Sequence, residues 1–96
     1  MPTIETIKEV ASSLGAQYGA NRISLFGSYA RGDMKETSDI DLRIDRGSIR
    51  GLQFADLLCN LEDMLGKKVD LISTAGADEE FLNAIRKDEI LLYERN

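Results

Sequence analysis

The sequence predicts an α/β (α+β) domain, in which a small mixed sheet of about four strands is flanked by helices. Segments with helical spacing of apolar residues alternate with short strand-like segments, in the order α-β-(α)-β-α-β-α-β. A length of 96 residues fits one domain, predicted over residues 1–96. Apolar residues make up 43% and charged residues 30%, which favours a chain that folds around a core.

The first helix is predicted over residues 3–18, where apolar side chains recur every three or four positions. Thr3 precedes it as a candidate N-cap, and Gly19 follows it as a candidate C-cap. A strand is predicted over residues 22–26, and a short helix runs from the turn after it to Arg31.

The second strand, predicted from Asp39 to Asp45, has the clearest alternation in the chain. One face is apolar and consists of Ile40, Leu42 and Ile44. The other face is polar and consists of Asp39, Asp41, Arg43 and Asp45. The third helix is predicted over residues 52–65, with Gly66 as its C-cap and Cys59 as a small core residue.

The last part of the chain repeats the alternation. A strand is predicted over residues 68–73, and a helix capped by Asp78 then runs to about Lys87. We expect the apolar side chains of this helix to face inward, namely Phe81, Leu82 and Ile85. A short strand over residues 90–93 completes the order of elements.

Composition excludes several classes of site. The chain has no histidine, which removes serine–histidine and cysteine–histidine catalysis and histidine-ligated metals. A single cysteine excludes a disulfide framework and favours a reduced, cytoplasmic setting. The net charge of -5 gives no strong nucleic-acid signal. Neither a signal peptide nor a membrane-spanning run is predicted.

The polar face of the second strand brings two carboxylates together. Asp39 and Asp41 stand at positions i and i+2, so their Cα atoms would lie about 6.6 Å apart on one face. Oxygen ligands of this kind suit hard cations such as Mg²⁺ or Mn²⁺. Asp70 in the next strand is the candidate third ligand. The alternative is an ordinary solvated sheet face, on which alternating polar residues are common.

The Gly27-Ser28 turn follows the first strand directly. Glycine allows a phosphate to approach the backbone closely, and free amides at the start of a helix favour an anion. The alternative is a plain strand-to-helix turn in which Ser28 is an N-cap.

The order of these features is more specific than any one of them. Gly27-Ser28 at a strand end is followed after ten residues by Asp39-Ile40-Asp41, and a later strand carries Asp70. This pattern, with the run from Gly27 to Gly32, resembles the signature of the polymerase-beta-like nucleotidyltransferase superfamily, and most closely its minimal prokaryotic members. The resemblance covers roughly residues 22–73 by motif.

The resemblance implies a role for each matching residue. Gly27 and Ser28 would hold the phosphates of ATP or another nucleoside triphosphate, while Asp39, Asp41 and Asp70 would act as metal-binding catalytic residues. The implied cofactor is Mg²⁺, as two ions, with Mn²⁺ as a substitute. A hydroxyl would attack the α-phosphate and pyrophosphate would leave.

Two arginines are further candidates for nucleotide binding. Arg31 could reach the phosphates or pair with Asp33, and Arg43 could reach the triphosphate or balance Asp45.

The resemblance also implies a partner. Minimal members are commonly paired with a small helical HEPN-type toxin, and some transfer AMP to a tyrosine of that toxin as its antitoxin. The alternatives are a non-catalytic antitoxin that neutralises by binding, and a small-molecule nucleotidyltransferase. A homo- or hetero-oligomer is compatible with each of these readings.

Overall fold

A computed structural model describes all 96 residues. The helices are α1 (Ile4–Tyr18), α2 (Gly27–Arg31), α3 (Leu52–Leu65) and α4 (Glu79–Ile85). The strands are β1 (Arg22–Phe26), β2 (Ile40–Asp45), β3 (Val69–Ser73) and β4 (Ile90–Glu94). One turn of 3-10 helix, Thr74–Gly76, connects β3 to α4. The predicted fold class and order of elements are therefore confirmed.

The predicted caps are present, and the element bounds differ by one or two residues. The Thr3 hydroxyl accepts a hydrogen bond from the Thr6 amide, and the Asp78 carboxylate accepts one from the Phe81 amide. β2 begins one residue after Asp39, and α4 ends two residues before Lys87. Such shifts are usual because helix and strand ends have incomplete hydrogen bonding.

The four strands form one mixed sheet in the order β3-β2-β1-β4. β1 is antiparallel to both of its neighbours, whereas β2 and β3 are parallel. A parallel pair needs a crossover connection, and α3 supplies it. Because β1 runs opposite to β2 and β3, one edge of the sheet contains the end of β1 and the starts of β2 and β3.

One face of the sheet forms the core together with α1 and α3. The fully buried side chains of the central strands are Ile23, Leu25, Ile40, Leu42 and Ile44. They lie in one apolar cluster with the buried faces of the helices, which consist of Ile7, Ala11, Leu14, Leu57, Leu61 and Leu65. The alternation predicted for β2 is thus confirmed on its apolar side.

The other face of the sheet is only partly covered. The Phe81 ring of α4 packs edge-on against Phe26 of β1, with 5.8 Å between ring centroids. Of the three side chains expected to face inward, Leu82 is buried and Ile85 is half-buried, whereas Phe81 remains 36% exposed, so the expectation is wrong for Phe81. The polar side chains of β2 and β3 project from this same face.

None of the four helices has the length and apolar character needed to span a membrane.

The prediction that Cys59 is a core residue is wrong, because its side chain is exposed. The buried stripe of α3 consists of Leu57, Leu61 and Leu65. Cys59 follows Leu57 by two positions, which is about 200° around a helix of 3.6 residues per turn. Cys59 therefore lies on the outer side of α3, near the exposed Leu52 and Ala55.

Candidate active site

The carboxylates singled out by the sequence meet at one edge of the sheet. Asp41 of β2 pairs with Asp70 of β3 in the parallel register, and with Phe26 of β1 on its other side. Directly paired residues point to the same face, so the Asp41 and Asp70 side chains are neighbours. Asp39 lies two residues before Asp41, just outside β2, and is exposed.

Gly27 lies against the Asp41 carboxylate, which leaves no room for a side chain at position 27. A Cβ atom built at Gly27 would overlap the Asp41 Oδ2 atom and lie 3.1 Å from its Cγ atom. The Gly27 backbone also has a φ of 75°, a left-handed conformation that L side chains rarely adopt. Both requirements select glycine, so the turn after β1 and the Asp41 carboxylate form one packed unit.

The electrostatic environment of Asp41 disfavours its negative charge. Burial raises the pKa of Asp41 above its ordinary value, and the negative charges of Asp70 and then Asp39 raise it further. The positive charge of Arg31 acts in the opposite direction. Three like charges that repel one another at the surface favour a cation partner, because a cation would offset the repulsion.

The carboxylates do not form a ready-made metal cage. No group of three or more aspartate, glutamate, cysteine or histidine side chains is positioned to hold a metal ion by itself. The donor chemistry nevertheless fits magnesium, which is commonly bound by one or two carboxylates together with the phosphates of a substrate. The carboxylate oxygens of Asp39, Asp41 and Asp70 are thus donors of the kind that magnesium takes, although their placement does not form a complete site.

Helix α2 starts inside the turn beside the carboxylates. Its N-cap residue is Phe26 and no side chain caps its first turn, so the alternative in which Ser28 is the N-cap is wrong. Ser28, in that first turn, is half-buried. The helix ends at Arg31, and its C-cap residue Gly32, with a left-handed φ of 84°, donates its amide to the Ser28 carbonyl. Ser28 thus lies in a short helix with a glycine C-cap, directly after Gly27.

Arg31 extends from the last turn of α2 and pairs with two acidic residues. Its Nε atom lies 3.2 Å from Asp33 Oδ2, and its guanidinium lies 3.9 Å from Asp88 Oδ2. The side chain is 46% exposed, so a ligand could still reach it. The pairing with Asp33 anticipated from the sequence is present, and a nucleotide contact by Arg31 stays a prediction.

Arg43 is nearly buried and pairs with a residue that sequence reasoning missed. Its guanidinium donates a hydrogen bond of 2.8 Å to Glu89 Oε1. Burial raises the pKa of Glu89 in spite of the attraction of Arg43, and the second carboxylate oxygen of Glu89 has no hydrogen-bond partner. Arg43 therefore has an internal partner, and its contact with a triphosphate also stays a prediction.

The carboxylate face is open rather than enclosed. None of the pockets on the surface is lined by Gly27, Asp39, Asp41 or Asp70. Ligand pockets normally surround most of a ligand's surface. The open carboxylate face could therefore not enclose an acceptor by itself.

Comparison with known proteins supports an assignment to a family. The family model described as polymerase beta, nucleotidyltransferase matches residues 5–96. A Thermococcus cleftensis relative, the protein adenylyltransferase MntA, is 39% identical over 75% of this chain and 78% of its own length. A Methanocaldococcus jannaschii relative, whose name proposes a protein adenylyltransferase, is 37% identical over 92% of this chain and 90% of its own length.

Solved structures with similar folds include one close in sequence and two that are distant. A structure whose name proposes a minimal nucleotidyltransferase is 35% identical, with a TM-score of 0.80, 93% of this chain covered and 95% of that one. A toxin–antitoxin structure with AMP-PNP has a TM-score of 0.78 at 22% identity, covering 93% and 74% of the two chains.

The second distant structure is a Shewanella oneidensis complex of a tri-AMPylated HEPN toxin with an MNT antitoxin. It has a TM-score of 0.72 at 19% identity, covering 95% of this chain and 72% of that one. At such low identities, the two toxin–antitoxin structures support the fold alone. The family match over nearly the whole length and the relatives above 30% identity go further: the chain belongs to the polymerase beta nucleotidyltransferase family.

Proposed function

We propose that this protein is a magnesium-dependent protein adenylyltransferase that acts as an antitoxin. It would transfer AMP from ATP to a tyrosine hydroxyl of a small helical HEPN-type toxin. The observation that carries the proposal is the pairing of Asp41 with Asp70 beside Gly27, because it gathers an acidic site and a tight turn at one sheet edge.

Each residue of the site has a proposed role. The Gly27 backbone and the Ser28 hydroxyl bind the triphosphate, at the start of α2, where no side chain caps the backbone amides. Asp39, Asp41 and Asp70 are the proposed metal ligands. They would hold the metal ions whose positive charge orients the nucleotide. Bound Mg²⁺, as two ions, or Mn²⁺ in its place, would neutralise charge on the phosphates and on the leaving pyrophosphate.

The absence of histidine agrees with this chemistry. Positioning and charge neutralisation account for most of the catalysis of phosphoryl-type transfer, so a histidine base is not required. The hydroxyl oxygen of the acceptor forms a bond to the α-phosphorus while the bond to the pyrophosphate oxygen breaks. The acceptor proton passes to a carboxylate or to water.

The relatives and the open face support a protein acceptor. The Thermococcus cleftensis relative is named a protein adenylyltransferase, and the Shewanella oneidensis structure contains an AMPylated HEPN toxin. Because the carboxylate face lacks a pocket, a partner protein would enclose the acceptor tyrosine from outside. We place the protein in the cytoplasm, where ATP and magnesium are available, and assign the activity to the single domain 1–96.

The test is a transfer assay with α-labelled ATP, Mg²⁺ and the HEPN-type protein from the neighbouring gene. We expect label on the partner, loss of label with EDTA, and loss of label with the Asp39→Asn/Asp41→Asn double variant. Mutation of the labelled tyrosine to phenylalanine should abolish the signal. An intact complex that binds ATP and never labels the partner would contradict the proposal.

A second candidate is an antitoxin that neutralises its partner by binding alone. It is favoured by one observation, that the carboxylates do not form a complete metal site by themselves. The Asp39→Asn/Asp41→Asn variant separates the two functions in a growth assay with the toxin. Retained neutralisation would favour binding, whereas lost neutralisation with an intact complex would favour transfer.

A further inference from the structure

Two consecutive acidic residues, Asp88 and Glu89, contact both arginines that flank the carboxylate site. Asp88 lies 3.9 Å from the guanidinium of Arg31 in α2, and Glu89 lies 2.8 Å from that of Arg43 in β2. The acidic residues immediately precede β4, in the turn after α4. We name Asp88 and Glu89 the acidic turn.

The two contacts differ in their environment. The Arg43 and Glu89 side chains are 9% and 13% exposed, so this ion pair is shielded from water and fixed. The Arg31 and Asp88 side chains are 46% and 41% exposed, and their contact of 3.9 Å is longer than the 3.2 Å contact of Arg31 with Asp33. Exposed pairs of this kind are worth only about 0–1 kcal/mol, so they exchange partners easily.

Arg31 is also electrostatically close to the proposed metal ligands. Its positive charge acts on the Asp41 carboxylate, and it extends from the same short helix that begins at Gly27. A triphosphate bound at the Gly27-Ser28 turn would bring several negative oxygens into this neighbourhood. Asp33 accepts a hydrogen bond from Arg31 Nε at 3.2 Å, whereas Asp88 lies 3.9 Å from Arg31 Nη1. Arginine binds phosphate strongly through paired N–H donors, so phosphate oxygens are better partners for the Nη1 group than the Asp88 carboxylate.

We propose that the acidic turn fixes Arg43 through Glu89 and holds Arg31 reversibly through Asp88, so that Asp88 competes with the nucleotide triphosphate for Arg31. This inference rests on the proposed function, because it assumes that the triphosphate binds beside Gly27. Asp88 is then a positioning residue that sets nucleotide affinity. The buried Glu89 contact keeps the acidic turn in place while Arg31 changes partner.

The experiment measures the Kd of inorganic triphosphate and of Mg·ATP by calorimetry. Asp88→Asn should bind both about two- to fivefold more tightly than the unmodified protein, which corresponds to an exposed ion pair of about 0.4–1 kcal/mol. Asp63→Asn is the matched control, because Asp63 is an exposed aspartate on α3, and removing it changes the net charge equally. It should leave the Kd unchanged.

A double-mutant cycle gives a readout that a merely structural role would not produce. Arg31→Gln should weaken triphosphate binding about tenfold or more, as expected for a hydrogen bond to a charged group. In the Arg31→Gln background, Asp88→Asn should have no further effect, because the two residues act through one contact.

The outcomes separate this inference from the proposed function. Equal triphosphate affinity in the unmodified protein, Asp88→Asn and Asp63→Asn would overturn the competition, even if the transfer assay succeeds. Failure of the triphosphate to bind any variant would overturn it as well. Tighter binding by Asp88→Asn without transfer to any partner would support the competition and contradict the enzymatic proposal.

Discussion

The carboxylate of Asp41 occupies the space that a side chain at Gly27 would need. Gly27 begins the turn directly after β1, and Asp41 lies in β2, so the contact links the proposed phosphate-binding segment to the proposed metal ligands. The two segments pack directly against each other, so a side chain added at residue 27 would displace the carboxylate of residue 41.

Gly27→Ala should therefore lower both stability and activity. The new methyl group would displace the Asp41 carboxylate, and the backbone would be strained at φ 75°. We expect a loss of about 1–3 kcal/mol of unfolding free energy, measured by urea denaturation. Gly32→Ala is the matched control, because Gly32 has a φ of 84° and no neighbour within 4 Å of the added atom.

The control should lose only the cost of the left-handed backbone, about 1–2 kcal/mol, and keep its activity. Equal activity in the two variants would show that the contact between residues 27 and 41 has no role in the site.

Asp41→Asn should reduce activity while leaving the fold at least as stable at neutral pH. The pKa of Asp41 is raised above its ordinary value of 3.8 by burial and by its acidic neighbours. The folded state therefore holds this proton more tightly than the unfolded state does. The stability contributed by the protonated group is present below pH 3.8 and is lost as the pH rises through the folded pKa.

Asparagine removes that pH-dependent loss, so the midpoint of thermal unfolding at pH 7 should be equal or higher. Transfer activity should fall by about 10²–10³-fold, as is typical when one group that stabilises developing charge is removed. Calorimetric scans between pH 3 and 7 check the first expectation. A clear fall in the midpoint at pH 7 would show that Asp41 stabilises the fold instead.

Glu89→Ala should destabilise the protein because it leaves the nearly buried Arg43 guanidinium without its partner. We expect a loss of about 1–3 kcal/mol, the range for an unsatisfied buried polar group. Glu94→Ala is the matched control, because Glu94 forms a 2.7 Å ion pair with Arg22 whose side chains are 45–50% exposed. The control should lose less than about 1 kcal/mol. Similar losses in both would mean that burial does not matter here.

Cys59 should react with a water-soluble thiol reagent in the native protein without added denaturant, because its side chain is exposed. The rate should approach that of the unfolded chain. A buried control is available in the Cys59→Ser background with Ala11→Cys, since Ala11 is 0% exposed in α1. The control thiol should react only through unfolding. Native-state protection of Cys59 would contradict the orientation of α3.

The sequence predicted those features that depend on local periodicity. The strand pattern of Ile40, Leu42 and Ile44 assigned the buried face of β2 correctly, because alternation has only two outcomes. The buried face of α3 was harder to predict. Many residues of this helix are apolar, so the pattern alone did not show which stripe faces the sheet. Cys59 was therefore placed on the wrong side.

The site was predictable where residues are linked by spacing within a strand, and less so across strands. Asp39 and Asp41 were expected to lie close together because they are two residues apart in one strand. The pairing of Asp41 with Asp70 depends instead on the register of two strands that are distant in the sequence. The acidic turn had no sequence signal, because Asp88 and Glu89 resemble ordinary solvated charges. Only the packing of the turn before β4 places Glu89 beside Arg43.

The parallel pairing of β2 with β3 has a consequence for synthesis on the ribosome. Asp70 reaches Asp41 only after α3 has crossed over the sheet and β3 has emerged, and such non-local pairing forms slowly. A nascent chain that ends before β3 contains Asp39 and Asp41 but lacks Asp70 of the proposed ligand set. The complete acidic site therefore arises only with tertiary folding, so an unfinished or partly unfolded chain would lack the Asp41–Asp70 pair.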